Sequence, residues 1–206
     1  MTRLDWSNAF RDYSVGVDRG VLYFAQNEAV VWDGLVSVSE EGQSGNARPM
    51  YFEGVLFNLR QEVSDYTAKI EAFTYPYFLE DAILALTDTR TLVGLKADNE
   101  PFAFSYRTMT AAGYEIHIVY NIVATMDNVS HRTLAEEIEL EPFSFTFHTT
   151  PKAIDIAKPT SHFIIDTARA NENAVFEIEK LLYGSDTTSP RLPSVSTLID
   201  IFSANP

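Results

Sequence analysis

Four segments of the sequence carry apolar side chains at every second position. They comprise residues 66–72, 102–107, 114–122 and 143–148, and the third is broken only at Val119. Successive side chains of an extended strand point to opposite faces, so this alternation predicts strands with one face toward a core. Several such strands in one chain predict a mainly β fold, an antiparallel sandwich or barrel.

The first forty residues predict further strands and one tight turn. Strand-like residues 15–24 are followed by two apolar runs, residues 29–32 and 35–38, with only Asp33 and Gly34 between them. An Asp-Gly pair flanked by apolar runs favours a two-residue β-hairpin. We therefore expect the two runs to pair with each other.

Other stretches carry weaker signals. Residues 39–48 are polar and rich in Gly and Ser, which is typical of an exposed loop, and a strand pattern resumes over residues 49–59. Within residues 76–101, the segment 78–84 is compatible with a helical turn or with a loop packed on the sheet. Residues 124–140 are polar and predict an excursion from the sheet.

The periodicity changes from two to that of a helix near the C-terminus. Apolar residues within 174–182 repeat at helical spacing, with Asn171 or Asn173 available as N-cap and Gly184 placed to end the helix. A second short helix is predicted from Pro193, because its apolar residues fall at i, i+3, i+4 and i+7. Those residues are Val195, Leu198, Ile199 and Phe202.

These patterns predict one domain over residues 1–206, with an N-terminal arm at 1–14 and a helical segment at 171–206. The chain has no cysteine, which excludes disulfides and thiolate chemistry. No secretory leader is recognisable, and no apolar run approaches the roughly 18 residues of a membrane span, so we expect no membrane partner.

The net charge of −14 disfavours non-specific binding to nucleic acid, because phosphate binding relies on Lys and Arg. Two interpretations stay open. The charge keeps the protein soluble, or it provides a negative surface past which a polyanion moves without sticking.

No catalytic or metal-binding motif is recognisable in the sequence, so we expect no enzyme activity, no cofactor and no metal site. The histidines, His117, His131, His148 and His162, lack metal-ligand spacing. His117 and His148 fall on the polar faces of predicted strands, where a solvated or cross-strand hydrogen-bonded histidine is the expected state. Tyr75 and Tyr77 are the best candidates for a carbohydrate platform.

Short matches along nearly the whole chain resemble tail proteins of siphoviruses that infect actinobacteria. The matching stretches are GVDRGVLY (16–23), AVVWDGLVSV (29–38), YFEGV (51–55), AKIEAFTYP (68–76), FSYRT (104–108), YEIHIVYN (114–121), TTP (149–151), HFIID (162–166) and LYG (182–184). The group resembles major tail, or tail-tube, proteins, and residues 76–101 and 124–140 do not share in the likeness.

This resemblance implies a β-sandwich whose identical copies form rings, expected to be hexameric, that stack into a tube. DNA would pass through the lumen without specific binding. Expected partners are further copies of the chain, the tape measure, the distal-tail protein and the tail terminator. The protein would be made in the host cytoplasm and reside in the virion tail. A distal-tail or other minor tail protein is the first alternative, and a carbohydrate-binding β-sandwich the second.

Under this resemblance, two segments carry candidate functional residues. The strand over residues 64–73 is the candidate lumen wall, with Asp65, Lys69 and Glu71 on its polar face. The loop over residues 39–48 is the candidate contact with the adjacent ring. Its candidate contact residues are Glu40, Glu41, Gln43 and Asn46.

Overall fold

The structure is a computed structural model that describes residues 13–24, 28–41, 47–52, 55–61, 66–86, 93–95, 100–127, 129, 140–149, 152–154 and 157–205. The strands are β1 (Ser14–Tyr23), β2 (Ala29–Trp32), β3 (Leu35–Glu40), β4 (Ala47–Phe52), β5 (Val55–Gln61), β6 (Thr67–Ala72), β7 (Leu84–Leu86), β8 (Val93–Leu95), β9 (Phe102–Thr110), β10 (Tyr114–Met126), β11 (Phe143–Thr149), β12 (Lys152–Ile154), β13 (Ala157–Thr160) and β14 (His162–Asp166). The helices are α1 (Tyr77–Ile83), α2 (Glu172–Tyr183) and α3 (Val195–Ala204).

One eight-stranded antiparallel sheet dominates the fold. Its strands follow the order β2-β1-β9-β10-β11-β6-β3, and β14 pairs with β10 beside β11. The expectation of a mainly β, antiparallel fold with short C-terminal helices is confirmed, and the sheet is compatible with the predicted sandwich or barrel. Three two-stranded sheets accompany it, formed by β4-β5, β7-β8 and β12-β13.

The predicted hairpin at Asp33-Gly34 is wrong. β2 pairs with β1, whereas β3 pairs with β6, so the two strands stand at opposite ends of the sheet order. Gly34 has a φ of 86°, and its carbonyl accepts a 2.9 Å hydrogen bond from the Phe73 amide next to β6. The Asp-Gly pair therefore turns the chain from one end of the sheet to the other, and does not fold β2 back onto β3.

This corner forces the sheet to curl. Three virtual Cα–Cα bonds span at most about 11 Å between Trp32 and Leu35, so the two border strands must come near each other. Gly20 of β1, the strand that pairs with β2, shows how close β3 comes to that end of the sheet, because a Cβ built there would lie 2.5 Å from Leu35 Cδ1. The concave side of the curled sheet becomes the main core.

Trp32 fills the centre of that core. Its ring centroid lies 5.6 Å from that of Phe104 on β9 and 5.6 Å from that of Phe145 on β11. Its indole N–H donates to the Thr74 carbonyl at 2.7 Å, which satisfies the one polar atom of a side chain that is 2% exposed. Trp32 belongs to β2, and it can contact both β9 and β11 only because the sheet curls.

The two C-terminal helices cover part of the convex side. They bury Val175, Ile178, Leu182 and Leu198 in a second core, against β1, β9, β10 and β14. Each such side chain contributes roughly 1.5–3 kcal/mol. The caps agree with the sequence for α2, where Asn171 accepts from the Asn173 amide and Gly184 ends the helix. The helix α3 begins at Val195 and not at Pro193, because Ser194 caps it.

An ion pair fastens α2 to the sheet. Arg107 of β9, whose side chain is 8% exposed, donates from Nε to Asp18 Oδ1 at 2.9 Å and from Nη2 to Asp18 Oδ2 at 2.7 Å. The same guanidinium lies 3.6 Å from Glu179 of α2 and 4.5 Å from the centroid of the Tyr114 ring. The hydrogen bond from Arg107 holds the pKa of Asp18 below its ordinary 3.8, although partial burial opposes the shift.

The strand β10 changes partner along its length. Residues 115–119 pair with β14 and residues 122–126 with β11, and the register against β9 shifts between Val119 and Ile122. Asn121, with a φ of 57°, lies in this bulge. Val119 faces the main core, which explains its break in the alternation: this part of β10 is buried on both faces.

Other predictions are confirmed or corrected in detail. The strand pattern at residues 49–59 corresponds to two paired strands, β4 and β5. The polar loop is shorter than predicted, because Ser39 and Glu40 pair with β6 and Ala47 and Arg48 pair with β5. Of the two alternatives for segment 78–84, the helical one is confirmed, since residues 78–83 belong to α1 and Leu84 begins β7. The predicted excursion over 124–140 begins too early, because β10 runs to Met126, and most of its other residues, like arm residues 1–12, lie outside the described residues. No helix in the described ranges is long and apolar enough to cross a bilayer.

The corner can be tested with two glycine substitutions. Both Gly34 and Gly16 have positive φ, but a Cβ at Gly34 would lie 2.5 Å from Thr74 Oγ1, whereas one at Gly16 meets nothing within 4 Å. We expect Gly16→Ala to cost about 1 kcal/mol of unfolding free energy and Gly34→Ala about 1–2 kcal/mol more. Urea unfolding followed by tryptophan fluorescence measures both, and equal losses would contradict the crowded corner.

The Asp18–Arg107 pair predicts a pH-dependent stability difference. Asp18→Asn should cost about 1–2 kcal/mol at neutral pH, since it leaves a nearly buried guanidinium with a weaker partner. Because the folded-state pKa of Asp18 is below the unfolded value, this contribution is complete above about pH 4 and fades as the pH falls further. Asp200→Asn, at an exposed position of α3, is the control. A loss that stays constant down to pH 2 would refute the assignment.

Candidate functional site

A largely polar surface lies on the convex side of the described part of the sheet, beyond the helices, and is interrupted by the exposed Val123. It is carried by β3, β6, β11 and the last third of β10. We call it the polar face, and its members are Ser37, Thr67, Lys69, Glu71, Thr125, Asp127, Ser144, Thr146 and His148. The intervening residues of β6 and β11, such as Ile70 and Phe145, point into the main core.

The predicted lumen residues Lys69 and Glu71 lie on the polar face. Lys69 Nζ is 3.4 Å from Glu71 Oε1, and Ser37 donates a 3.1 Å hydrogen bond to Glu71 Oε2. The third predicted residue, Asp65, lies outside the described residues.

Hydroxyl groups dominate the rest of the polar face. Ser144 and Thr146 donate to the two carboxylate oxygens of Asp127 at 2.6 Å and 2.9 Å. His148 lies 3.4 Å from Thr67 Oγ1 and is exposed, as its position on a polar strand face predicts. The polar face thus carries one lysine against two carboxylates, and the lysine is already paired.

The candidate inter-ring residues do not share one environment. Glu41 is exposed directly after β3, while Gln43 and Asn46 lie outside the described residues. Glu40 ends β3, and its carboxylate turns inward instead of projecting from a loop. Tyr106 of β9 donates a hydrogen bond to Glu40 Oε1.

Glu40 meets two histidines at this inward position. His117 Nδ1 and His162 Nε2 lie 3.1 Å apart, and they are 3.4 Å and 3.9 Å from Glu40 Oε1. The side chains of His117 and His162 are 7% and 4% exposed, whereas that of Glu40 is 34% exposed. We call these three residues the His–Glu cluster.

The curl of the sheet assembles this cluster. His117 of β10 stands opposite Tyr106 of β9 and Ile164 of β14, and His162 lies two residues before Ile164. Side chains two residues apart share a strand face, so both histidines point to the concave side. Glu40 comes from the border strand β3, and its side chain reaches Tyr106 of β9 and His117 of β10 across the concave side of the curled sheet.

Two tyrosines form the walls of the cluster. The Tyr106 ring stacks on His117 with centroids 4.5 Å apart and an interplanar angle of 10°, and the Tyr66 ring centroid is 4.5 Å from that of His162. The two phenol oxygens are 3.3 Å apart. Burial raises the pKa of both tyrosines, so both hydroxyls stay protonated and able to donate.

The far nitrogen of His117 contacts a hydroxyl and a carboxylate. Thr108 Oγ1 is 3.0 Å from His117 Nε2 and donates its own hydrogen to Glu115 Oε2 at 3.4 Å. Glu115 Oε2 is also 3.7 Å from His117 Nε2. These contacts hold the His117 ring in place, and its other nitrogen, Nδ1, faces Glu40 and His162.

The ionisation states in the cluster favour ligand forms at neutral pH. Burial opposes ionisation of Glu40, but hydrogen bonds from His117 and Tyr106 outweigh it and lower its pKa to about 2. Burial lowers the pKa of His162 to about 4, although the Glu40 carboxylate acts in the opposite direction. A deprotonated carboxylate and a neutral imidazole therefore face each other, an arrangement that can hold a proton or a metal ion between them.

Sequence patterns did not predict this cluster. Glu40, His117 and His162 belong to three strands far apart in the chain, and no short-range spacing links them. The prediction that His117 is solvated is wrong, since the residue is only 5% exposed. The alternative prediction, a histidine that hydrogen-bonds across strands, agrees with its contacts. Val119 was the available signal, because an apolar residue two positions on marks that face as buried.

The carbohydrate-platform candidates have different surroundings. Tyr75 packs edge-on against Phe143 and Phe145, with ring centroids 4.9 Å and 5.4 Å apart, so its ring borders the main core. Tyr77 is half exposed and stacks on Phe78 at 4.2 Å. Only one of the two rings thus offers an open surface.

No protein-family model matches this chain, and a search of curated proteins finds no significant relative.

Proposed function

We propose that the chain is a structural subunit of a virus tail. Copies of the chain close into rings, and the rings stack into a tube through which DNA passes. The observation that carries the proposal is the polar face. No helix of the described residues packs on it, whereas α2 and α3 cover another part of the convex side. The resemblance of short stretches of the sequence to siphovirus tail proteins favours the same assignment.

The chemistry of the polar face suits passage of a polyanion. Strong DNA adhesion needs several cations that displace counterions from phosphates. The polar face offers Lys69 alone, and Glu71 lies 3.4 Å from it, while Asp127 adds a further negative charge. Hydroxyl groups solvate the remainder. DNA facing this surface would meet water and weak repulsion, which acts within a Debye length of about 8 Å.

The positions of the helices and of the polar face suggest how the subunit is oriented in a ring. The helices α2 and α3 occupy a different part of the convex side from the polar face, so a ring lined by the polar face would place them away from the lumen. The border strands β2 and β3 carry exposed apolar residues, with Val31 72% and Val36 42% exposed. Pairing of border strands between neighbouring copies would cover these residues and complete the strand edges.

Assembly is the direct test. Negative-stain electron microscopy of the purified chain, alone and with a tail-initiator complex, should show stacked rings forming tubes. Single rings that do not stack would indicate the distal-tail alternative and overturn the tube assignment. Monomers under both conditions would overturn ring assembly altogether.

The orientation predicts an asymmetric response to charge reversal. Glu71→Lys places two adjacent cations on the polar face, so assembled tubes should retain double-stranded DNA at low salt, whereas native tubes should not. Glu177→Lys makes the same charge change on the exposed side of α2 and is the matched control. Co-sedimentation of tubes with labelled DNA measures retention. Equal retention by both variants would contradict a lumenal polar face.

A further inference from the structure

We propose that Glu40, His117 and His162 bind one zinc ion on the concave side of the sheet. This metal site is independent of the tail assignment, since it rests on the His–Glu cluster alone. Two imidazole nitrogens and one carboxylate oxygen are ligand types that Zn²⁺ prefers, whereas Mg²⁺ and Ca²⁺ favour sites made of oxygen. The three ligand atoms lie within 4.8 Å of one another.

The spacing of the ligand atoms allows all three to bind a single ion. A zinc ion with ligands at about 2.0–2.1 Å separates its ligand atoms by about 3.3 Å. The observed separations are 3.1 Å, 3.4 Å and 3.9 Å. These separations bracket that value, so one ion can contact all three atoms, and the two imidazole ligands favour zinc over ions that prefer oxygen.

The groups around the cluster resemble the outer shell of a zinc site. Histidine ligands of zinc commonly donate their second N–H toward a carboxylate, which fixes the tautomer and raises ligand basicity. Here the Thr108 hydroxyl and the Glu115 carboxylate occupy that position at His117, and Tyr106 donates to the liganding carboxylate of Glu40. The partly exposed side of Glu40 gives water access to the fourth position.

Zinc at this position would join strands that are far apart in the sheet order. Glu40 belongs to the border strand β3, whereas His117 and His162 belong to β10 and β14. Binding would therefore stabilise the curl, and it should raise the melting temperature of the monomer. This gives the metal site a readout that needs no assembly and no activity.

The test uses the full chain purified without a polyhistidine tag. After treatment with a chelator, the protein is reloaded with zinc, freed of excess metal by gel filtration and measured by mass spectrometry of the metal. We expect about one zinc per chain, and a higher melting temperature with zinc than with chelator. Cobalt substitution should give the intense visible absorption of a four-coordinate ion.

Variants locate the site. His162→Ala and the isosteric Glu40→Gln should lose the bound zinc and the zinc-dependent rise in melting temperature. Thr108→Val should weaken binding roughly ten- to a hundred-fold through the outer shell. His148→Ala, which removes an exposed histidine from the polar face, should bind like the native chain.

Two outcomes would overturn the proposal. One is a folded native chain that retains no zinc, which would leave the three residues as an ion-free hydrogen-bonded cluster. The other is equal retention by native, His162→Ala and Glu40→Gln proteins, which would place the metal elsewhere. If circular dichroism shows that His162→Ala is unfolded, zinc retention by Glu40→Gln decides between the outcomes. The altered side chain of Glu40→Gln is partly exposed and has the same shape as the native one.

Discussion

The corner at Asp33-Gly34 is the constraint on which the rest of the structure depends. Two residues connect the strands at opposite ends of the sheet order, so the sheet has to curl until its borders approach each other. The curl creates a closed concave side in which Trp32 contacts aromatic residues of non-neighbouring strands. On the convex side, the helices cover one part of the sheet, and the polar face is another part, on which no described helix packs.

The same constraint accounts for the His–Glu cluster. In a flat sheet, Glu40 of the border strand would lie several strands away from His117, with a separation of about 4.8 Å per strand. The curl brings the Glu40 carboxylate opposite the histidines on the concave side. The His–Glu cluster and the polar face are thus two consequences of one topology. The His–Glu cluster places a compact set of ligand atoms on the concave side, and the polar face is a hydroxyl-rich surface with few charges on the convex side.

Local patterns in the sequence predicted the strands and helices well, because each depends on neighbours in the chain. The alternation at residues 143–148 predicted the buried Phe145 and Phe147, and Asn171 and Gly184 predicted the ends of α2. Pairing between strands was not predictable in the same way. Asp-Gly is compatible with a hairpin and with a corner, and the choice depends on the contacts of Phe73 and Thr74, forty residues further along the chain. The His–Glu cluster was missed for the same reason, since it exists only after that choice is made.

The most direct test of this account is the contact pattern across the corner in solution, which nuclear Overhauser effects report on the isotopically labelled protein. We predict strong effects between the Leu35 methyl groups and the Gly20 α-protons, and a protected Trp32 indole N–H bonded to the Thr74 carbonyl. Cross-strand effects between Val31 and Val36 would instead show that β2 and β3 pair as a simple hairpin. That result would contradict the curl, and with it the arrangement of both the polar face and the His–Glu cluster.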